Sequence, residues 1–196
     1  MPMVLEDPAA YWISDEIWEE MRPDVQRHWA GYASGLLWTG ISKLVWYEPR
    51  EVWQLLDGCY YLVTNRGITE RNAYTIDAAE RINSPFNRGV RKDIARIIDE
   101  IGPQNIPQSK ASEWLEGLYA TADRAGLLFS GSLTSSIPAI LEAEGWNPNK
   151  TGADYLAARF KQSRRIPELI EFALSDDYLE LRYHAGLAMQ PSRING

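Results

Sequence analysis

The sequence predicts an all-α protein, an irregular bundle of about eight to nine helices. Three observations support this class. Apolar residues recur at steps of three and four, and no stretch sustains the period-two alternation of a half-buried strand. Proline and glycine interrupt the chain often enough to separate many short helices. Hydrophobic residues form 45% of the 196 residues and charged residues 24%, a balance typical of a globular protein.

Two short helical segments are predicted before the first long helix. Asp7 followed by Pro8 matches an N-cap and the first helical position, so a helical turn is expected through Ile13. Ser14 is placed to cap a second short helix that continues to Met21.

The longest predicted helix begins at Pro23 and continues until Pro49 starts the next one. Gly31 and Gly35 form a G-x-x-x-G, a spacing that lets two helices pack closely in membranes. The surrounding apolar stretch is polar at both ends and contains Lys43. Because a spanning helix needs about 20 predominantly apolar residues, we expect close packing within a soluble bundle instead.

Residues that typically start or stop helices divide the following segment into three helices. The helix that starts at Pro49 is expected to stop near Gly67, in a left-handed C-terminal cap. Thr75 is placed to cap a short helix, and Pro85 to open another that closes at Gly102.

A connector over residues 103–108 is the best candidate boundary in the chain. It separates a Trp-rich half, 1–102, from a second half, 109–187, and residues 188–196 form a tail. We expect the halves to share one core in a single domain, 1–196. The helices expected in the second half cover approximately 109–129, 133–144, 151–162, 167–174 and 175–186.

Three stretches of the second half together carry a family resemblance. They are Trp114-Leu115, the run from Ala122 to Leu128 (ADRAGLL) with Gly131 and Leu133 after it, and the ending from Pro167 to Leu187 (PELIEFALSDDYLELRYHAGL). Together they cover roughly residues 114–187, under half of the chain. The set resembles a C-terminal segment of large bacterial proteins that contain tetratricopeptide arrays and have no known function. Ser132 stands where that group tends to have an acid, and the array itself is missing. The resemblance implies a helical, assembly-related bacterial protein and assigns no site residue.

The residues that most often carry catalysis are sparse and give no recognisable motif. His28 is expected to form a surface ion pair with Asp24 four residues earlier, and His184 to lie in the last turn of the final helix. Cys59 lies on an apolar stripe and is expected to be a buried, inert thiol. Ser132, in the only loop that resembles a catalytic turn, is interpreted as an N-cap. We therefore predict no catalytic residue, no metal and no cofactor.

Two basic groups are candidates for phosphate contacts. Arg88, Lys92 and Arg96 share one face of their helix, opposite its isoleucines, and Lys161, Arg164 and Arg165 form the second group. The net charge of −7 opposes nucleic acid as the main partner, because such binders usually carry a basic excess. The nucleic-acid hypothesis therefore depends on Arg88, Lys92 and Arg96.

Aromatic residues are the most informative feature for function. The chain has eight Trp and ten Tyr, and six of the Trp lie in its first third. Trp38, Trp46 and Tyr47 fall outside the main apolar stripe of the predicted long helix. A second buried face within the fold is the favoured interpretation, and a partner surface is the alternative.

The leading hypothesis is a non-catalytic protein–protein interaction or assembly subunit of a bacterial complex, with a protein partner. An enzyme with an unfamiliar helical site and a nucleic-acid accessory protein are the alternatives. A deep polar pocket around His28, Cys59 or the loop from Ser130 to Ser132 would favour the enzyme. We expect a cytoplasmic location, because a single cysteine excludes an intrachain disulfide and no signal peptide or membrane helix is recognisable.

Overall fold

The computed structural model describes residues 3–6, 9–12, 14–39, 44, 46–65, 73–83, 87–102, 109–146 and 152–188. Within these residues the chain forms ten helices and one two-stranded hairpin, which confirms the all-α class. The elements are β1 (Met3–Glu6), β2 (Ala9–Trp12), α1 (Asp15–Glu20), α2 (Pro23–Trp38), α3 (Pro49–Thr64), α4 (Ala73–Ile82), α5 (Arg88–Ile101), α6 (Ser109–Ser130), α7 (Leu133–Ala143), α8 (Ala153–Gln162), α9 (Arg165–Ala173) and α10 (Asp176–His184).

The N-terminal hairpin corrects the first predicted helical turn. β1 and β2 pair antiparallel, with Met3 opposite Trp12 and Glu6 opposite Ala9. Asp7 and Pro8, which suggested a helix start, lie outside the described residues. A single helical turn leaves most of its backbone groups without partners, whereas two short strands can satisfy each other. Pairing between strands therefore replaces the local helix signal over 9–12.

The chain divides into two compact units, which we describe separately. The first unit joins Met1–Lys43 to Glu116–Gly196, and the second is Leu44–Leu115. These boundaries do not coincide with the connector at 103–108 that the sequence suggested. Whether the chain is a single domain with one core stays a prediction.

The first unit is built where α2 lies against α6. A Cβ added to Gly31 would lie 2.5 Å from the carbonyl oxygen of Ala125, and one added to Gly35 would lie 2.9 Å from the Ala125 Cβ. Only glycine lets the two backbones approach so closely. The G-x-x-x-G of α2 therefore packs against another helix of the unit. No helix among the described residues is long and apolar enough to cross a membrane.

The long helix expected to reach Pro49 is shorter than predicted. α2 ends at Trp38, and Thr39 forms its C-cap while its hydroxyl donates to the carbonyl of Leu36 at 2.6 Å. Gly40 follows in the sequence, and glycine just after a C-cap is a common helix stop. Trp46 and Tyr47 therefore do not share a helix with Trp38.

Apolar side chains of four helices form the core of the first unit's C-terminal part. The cluster packs α7, α9 and α10 onto the end of α6, and Tyr178 meets Phe172 edge to face with ring centroids 5.4 Å apart. Ser175 caps α10 by accepting from the backbone N–H of Tyr178. The fully or largely buried members are Leu127, Ile140, Ile166, Leu169 and Tyr178.

The second unit contains α3, α4 and α5. Glu48 and Glu51 form a capping box around Pro49 at the start of α3, and Asn65 ends it in the left-handed conformation with φ 56°. Asn65 thus takes the role predicted for Gly67, which lies outside the described residues, because asparagine tolerates this conformation. Thr75, predicted as a cap, lies inside α4 and donates its hydroxyl to the buried carboxylate of Asp57 in α3.

Candidate functional site

A groove of about 1100 Å³ opens on the surface of the first unit. Residues of α2, α6, α9 and α10 line it, so elements far apart in sequence build one site. Trp38, the last residue of α2, stands in this lining with its side chain 85% exposed. The other large apolar side chains of the groove are Leu128, Phe129, Phe172 and Leu181. We call this feature the Trp38 groove.

Carboxylates of α9 and α10 dominate the charge of the Trp38 groove. Glu168 and Glu171 come from α9, and Asp177 and Glu180 from α10, all four exposed. Arg124 is the one arginine or lysine in the lining, and its guanidinium lies 5.4 Å from the centroid of the Phe172 ring. The groove therefore combines apolar side chains with a net negative charge, and we call the four carboxylates its rim.

Trp38, Gly35 and His184 were named from the sequence and line the groove, but the sequence predicted no groove. Leu179, Leu181 and Tyr183 of α10 are each at least 40% exposed, and of these three Leu181 lines the groove. Residues two apart on a helix point in different directions, so one buried face cannot take all three. Apolar residues at every second position of a helical segment therefore indicate, from the sequence alone, that some of its apolar surface is exposed.

His28 is the clearest correction to the sequence analysis. Its side chain is fully buried rather than on the surface, and its Nδ1 lies 2.9 Å from the hydroxyl oxygen of Ser136 in α7. Burial, aided by the positive charge of Arg165, lowers the pKa of His28 to about 4. The imidazole is therefore neutral at pH 7. The predicted ion pair with Asp24 failed because α7 and α6 cover this face of α2, which local spacing does not show.

Asp24 instead bonds to two other side chains. Its carboxylate accepts hydrogen bonds from the Ser135 hydroxyl of α7 and from Arg22. These contacts lower the pKa of Asp24 to about 2. Two neighbouring polar pairs, Asp24 with Ser135 and His28 with Ser136, therefore connect α2 to α7.

This polar network resembles a nucleophile with its base, but its burial argues against catalysis. Ser136 and His28 both have no exposed surface, so a substrate has no access to the hydroxyl. The His28 Nε2, where a catalytic triad needs an orienting or accepting group, has no hydrogen-bond partner among the described residues. Ser132 occupies the predicted N-cap position of α7, although its hydroxyl bonds to Thr134 at 2.8 Å instead of to the helix backbone.

A buried ion pair joins α6 to α9 at the motif that carries the family resemblance. Arg165 donates from Nε and Nη2 to the two oxygens of Asp123, each at 2.7 Å. The guanidinium also lies 5.1 Å from the ring centroid of Tyr119 and 5.8 Å from that of Tyr32. Burial disfavours the charged guanidinium, but the Asp123 carboxylate outweighs it and raises the pKa of Arg165 above its ordinary value.

The ion pair between Arg165 and Asp123 contradicts the second basic surface predicted from the sequence. Arg165 is occupied by Asp123, and Arg164 forms an exposed ion pair with Glu116 at 3.1 Å. Lys161 remains exposed, so the expected cluster of three is not a basic surface.

No protein-family model, curated protein or solved structure matches the chain. The resemblance to tetratricopeptide-containing bacterial proteins therefore stays a prediction.

The first basic group stays accessible in the second unit. Arg88, Lys92 and Arg96 are all exposed along α5, and Arg96 forms an ion pair with Glu100 at 2.8 Å. Asn87 caps this helix by accepting from two backbone N–H groups. The geometry agrees with the predicted basic face, and its proposed contact with phosphates stays a prediction.

Cys59 and the remaining aromatic candidates also belong to the second unit. Burial raises the pKa of the partly buried Cys59 thiol to about 11, which suits an inert thiol better than a nucleophile. Trp46 is 55% exposed and Tyr47 is partly buried, and neither lines the Trp38 groove. The favoured interpretation of internal burial is therefore wrong for Trp38 and Trp46. Among the described residues, no group of three or more His, Cys, Asp or Glu side chains is arranged to hold a metal ion.

Proposed function

We propose that this protein is a non-catalytic protein–protein interaction or assembly subunit that binds its partner through the Trp38 groove. One observation carries the proposal: a tryptophan, 85% exposed, stands in the lining of an apolar groove of about 1100 Å³. Tryptophan is among the residues most enriched in the energetic centres of protein interfaces. An exposed Trp beside further apolar side chains is unfavourable in water unless a partner covers it.

The free energy gained by burying Trp38 is large enough for this side chain to anchor a partner. A Trp side chain can bury roughly 200 Å², and burial contributes about 25 cal/mol per Å². Covering the exposed 85% of this side chain therefore yields about 4 kcal/mol before the losses of entropy on binding. That figure is of the size measured for interface hot spots.

The buried polar side chains of the first unit favour this proposal over the enzyme alternative. His28, Ser136 and Asp123 are buried and bonded to side chains of neighbouring helices. They stabilise the fold and present no reactive atom at the groove. We place the subunit in the bacterial cytoplasm, on the basis of the family resemblance and the single cysteine.

The test compares Trp38→Ala with Leu174→Ala in protein purified gently from its host and analysed by native mass spectrometry. Leu174 is 81% exposed in the same unit but does not line the groove. We expect the unaltered chain and Leu174→Ala to carry a stoichiometric protein partner. Trp38→Ala should weaken that complex about 30-fold or more, which corresponds to about 2 kcal/mol. Equal recovery of the partner with both variants would refute the proposal.

A further inference from the structure

The rim of the Trp38 groove carries more negative charge than the other described residues of the groove balance. Glu168, Glu171, Asp177 and Glu180 are exposed, and none of them forms an ion pair within 4.0 Å among the described residues. The first two lie on α9 and the other two on α10. Carboxylates of two different helices therefore face the same groove.

Apolar side chains line the same groove as these carboxylates. Phe129 and Leu181 are 49% and 47% exposed, and Trp38 extends the apolar surface from the end of α2. Arg124 lies against the Phe172 ring and leaves the four carboxylates in excess. A ligand that fits must offer apolar groups to the lining and positive groups to the rim.

The volume of the groove is large enough for part of a helix. An α-helix about 10 Å wide with a rise of 1.5 Å per residue occupies roughly 120 Å³ per residue. A volume of about 1100 Å³ therefore corresponds to about nine residues, between two and three helical turns. Grooves of this type bind amphipathic helices through apolar residues spaced three and four apart.

We infer that the Trp38 groove binds an amphipathic helix of another protein, with lysine or arginine residues beside its apolar face. This inference rests on the proposed function and adds the chemistry of the partner. A second copy of this chain fits less well, because its net charge of −7 repels a like molecule. The same carboxylates repel the phosphates of nucleic acids and of anionic lipids.

The probe is a fluorescein-labelled synthetic helix of leucine and lysine, about 18 residues long, compared with a leucine–glutamate peptide of the same pattern. Fluorescence anisotropy measures binding to the 196-residue chain. We expect the lysine peptide to bind at least about tenfold more tightly than the glutamate peptide, and to weaken between about 50 and about 200 mM salt. Equal affinity for both peptides would overturn the inference.

Two matched charge variants separate the groove from the general negative charge. The rim variant, E168Q/E171Q/D177N/E180Q, neutralises the four carboxylates of the groove. The α1 variant, D15N/E16Q/E19Q/E20Q, neutralises the same number of exposed carboxylates on α1, which does not line the groove. Exposed ion pairs each contribute about twofold, so the rim variant should lose about tenfold in affinity for the lysine peptide. The α1 variant should lose less than about threefold. Equal losses would mean attraction to net charge alone and would overturn the inference.

One further variant and two further measurements keep this test decisive. If the fourfold rim variant loses its helical circular dichroism, E171Q/E180Q avoids the first turns of α9 and α10 and should still weaken binding about fourfold. A natural partner lost with Trp38→Ala but retained by the rim variant would refute the basic helix and leave the proposed function standing. A dimer of this chain that Trp38→Ala dissolves would identify a second copy as the occupant and would also overturn the inference.

Discussion

Protonation of the buried His28 imidazole is expected to destabilise the protein as the pH falls below 6.5. In the folded state burial holds the pKa of His28 at about 4, against an ordinary value of 6.5. Between these two values the unfolded chain binds the proton and the folded chain does not. The free energy of unfolding therefore decreases as the pH falls from 6.5, and the loss is complete below about pH 4.

The size of this effect follows from the two pKa values. The interval from 6.5 to about 4 corresponds to about 3 kcal/mol, since each pH unit is worth about 1.4 kcal/mol. At about pH 5 most of the unfolded imidazole is protonated and most of the folded imidazole is neutral, so about 2 kcal/mol is already lost. For a chain of 196 residues, a loss of about 2 kcal/mol lowers the melting temperature by about 4–8 °C.

The assay is urea unfolding at about pH 7.5 and at about pH 5 for the unaltered protein and for His28→Asn. The asparagine amide does not titrate and retains a group that can bond to the Ser136 hydroxyl. Carboxylates titrate equally in both proteins, so the difference between the two pH dependences isolates His28. His28→Asn should lose about 2 kcal/mol less on acidification than the unaltered protein does.

Leu174→Ala supplies the matched control, because this side chain does not titrate and is 81% exposed in the same unit. Leu174→Ala should keep the pH dependence of the unaltered protein. The reasoning is refuted if His28→Asn loses as much stability on acidification as the unaltered protein. If His28→Asn does not fold, His28→Gln provides a second neutral side chain at the same position.

Three more predictions follow from packing and charge. Gly31→Ala should lower the free energy of unfolding by about 1–3 kcal/mol, because its Cβ would meet the α6 backbone. The control is Gly117→Ala, whose added Cβ would have open space around it and which should raise the free energy of unfolding by about 0.5–1 kcal/mol. If urea unfolding shows that Gly31→Ala is as stable as the unaltered protein, the close packing of α2 on α6 is contradicted. Asp123→Asn should cost about 3–5 kcal/mol, since Arg165 is left buried without its partner. The double variant Asp123→Leu/Arg165→Met should cost less than the sum of its two single changes, and additive costs in a double-mutant cycle would argue against the pair. Cys59 should react slowly with a thiol reagent at about pH 8, because burial raises its pKa to about 11, and fast reaction before unfolding would show an accessible thiolate.

Helix positions were the part of the fold that the sequence predicted best. Pro23, Pro49 and Gly102 mark helix ends in the structure as they did in the sequence, because proline and glycine act through their own backbone geometry. Boundaries were less accurate where the residue type allowed several outcomes. α2 stops at Trp38, well before Pro49, and Asn65 forms the left-handed cap expected near Gly67.

The candidate site was only partly predictable. Trp38 attracted attention because it lies outside the apolar stripe of α2, but its degree of exposure depends on which helices cover that face. Glu171 and Glu180 are ordinary surface acids in the sequence, and they become one rim only because α9 and α10 lie beside the same groove. Contacts between residues so distant along the chain leave no local pattern.

The sequence by itself determined that the chain is helical, where most helices begin, and that Gly31 and Gly35 allow close approach of another helix. These properties depend on local geometry and on periodicity, which are written within a few residues of each other. Only the tertiary structure decided that His28 is buried beside Ser136, that Asp123 holds Arg165, and that Trp38 stands exposed in an acidic groove. Burial and ionisation depend on which distant side chains displace water from a group, and the order of residues along the chain does not specify that.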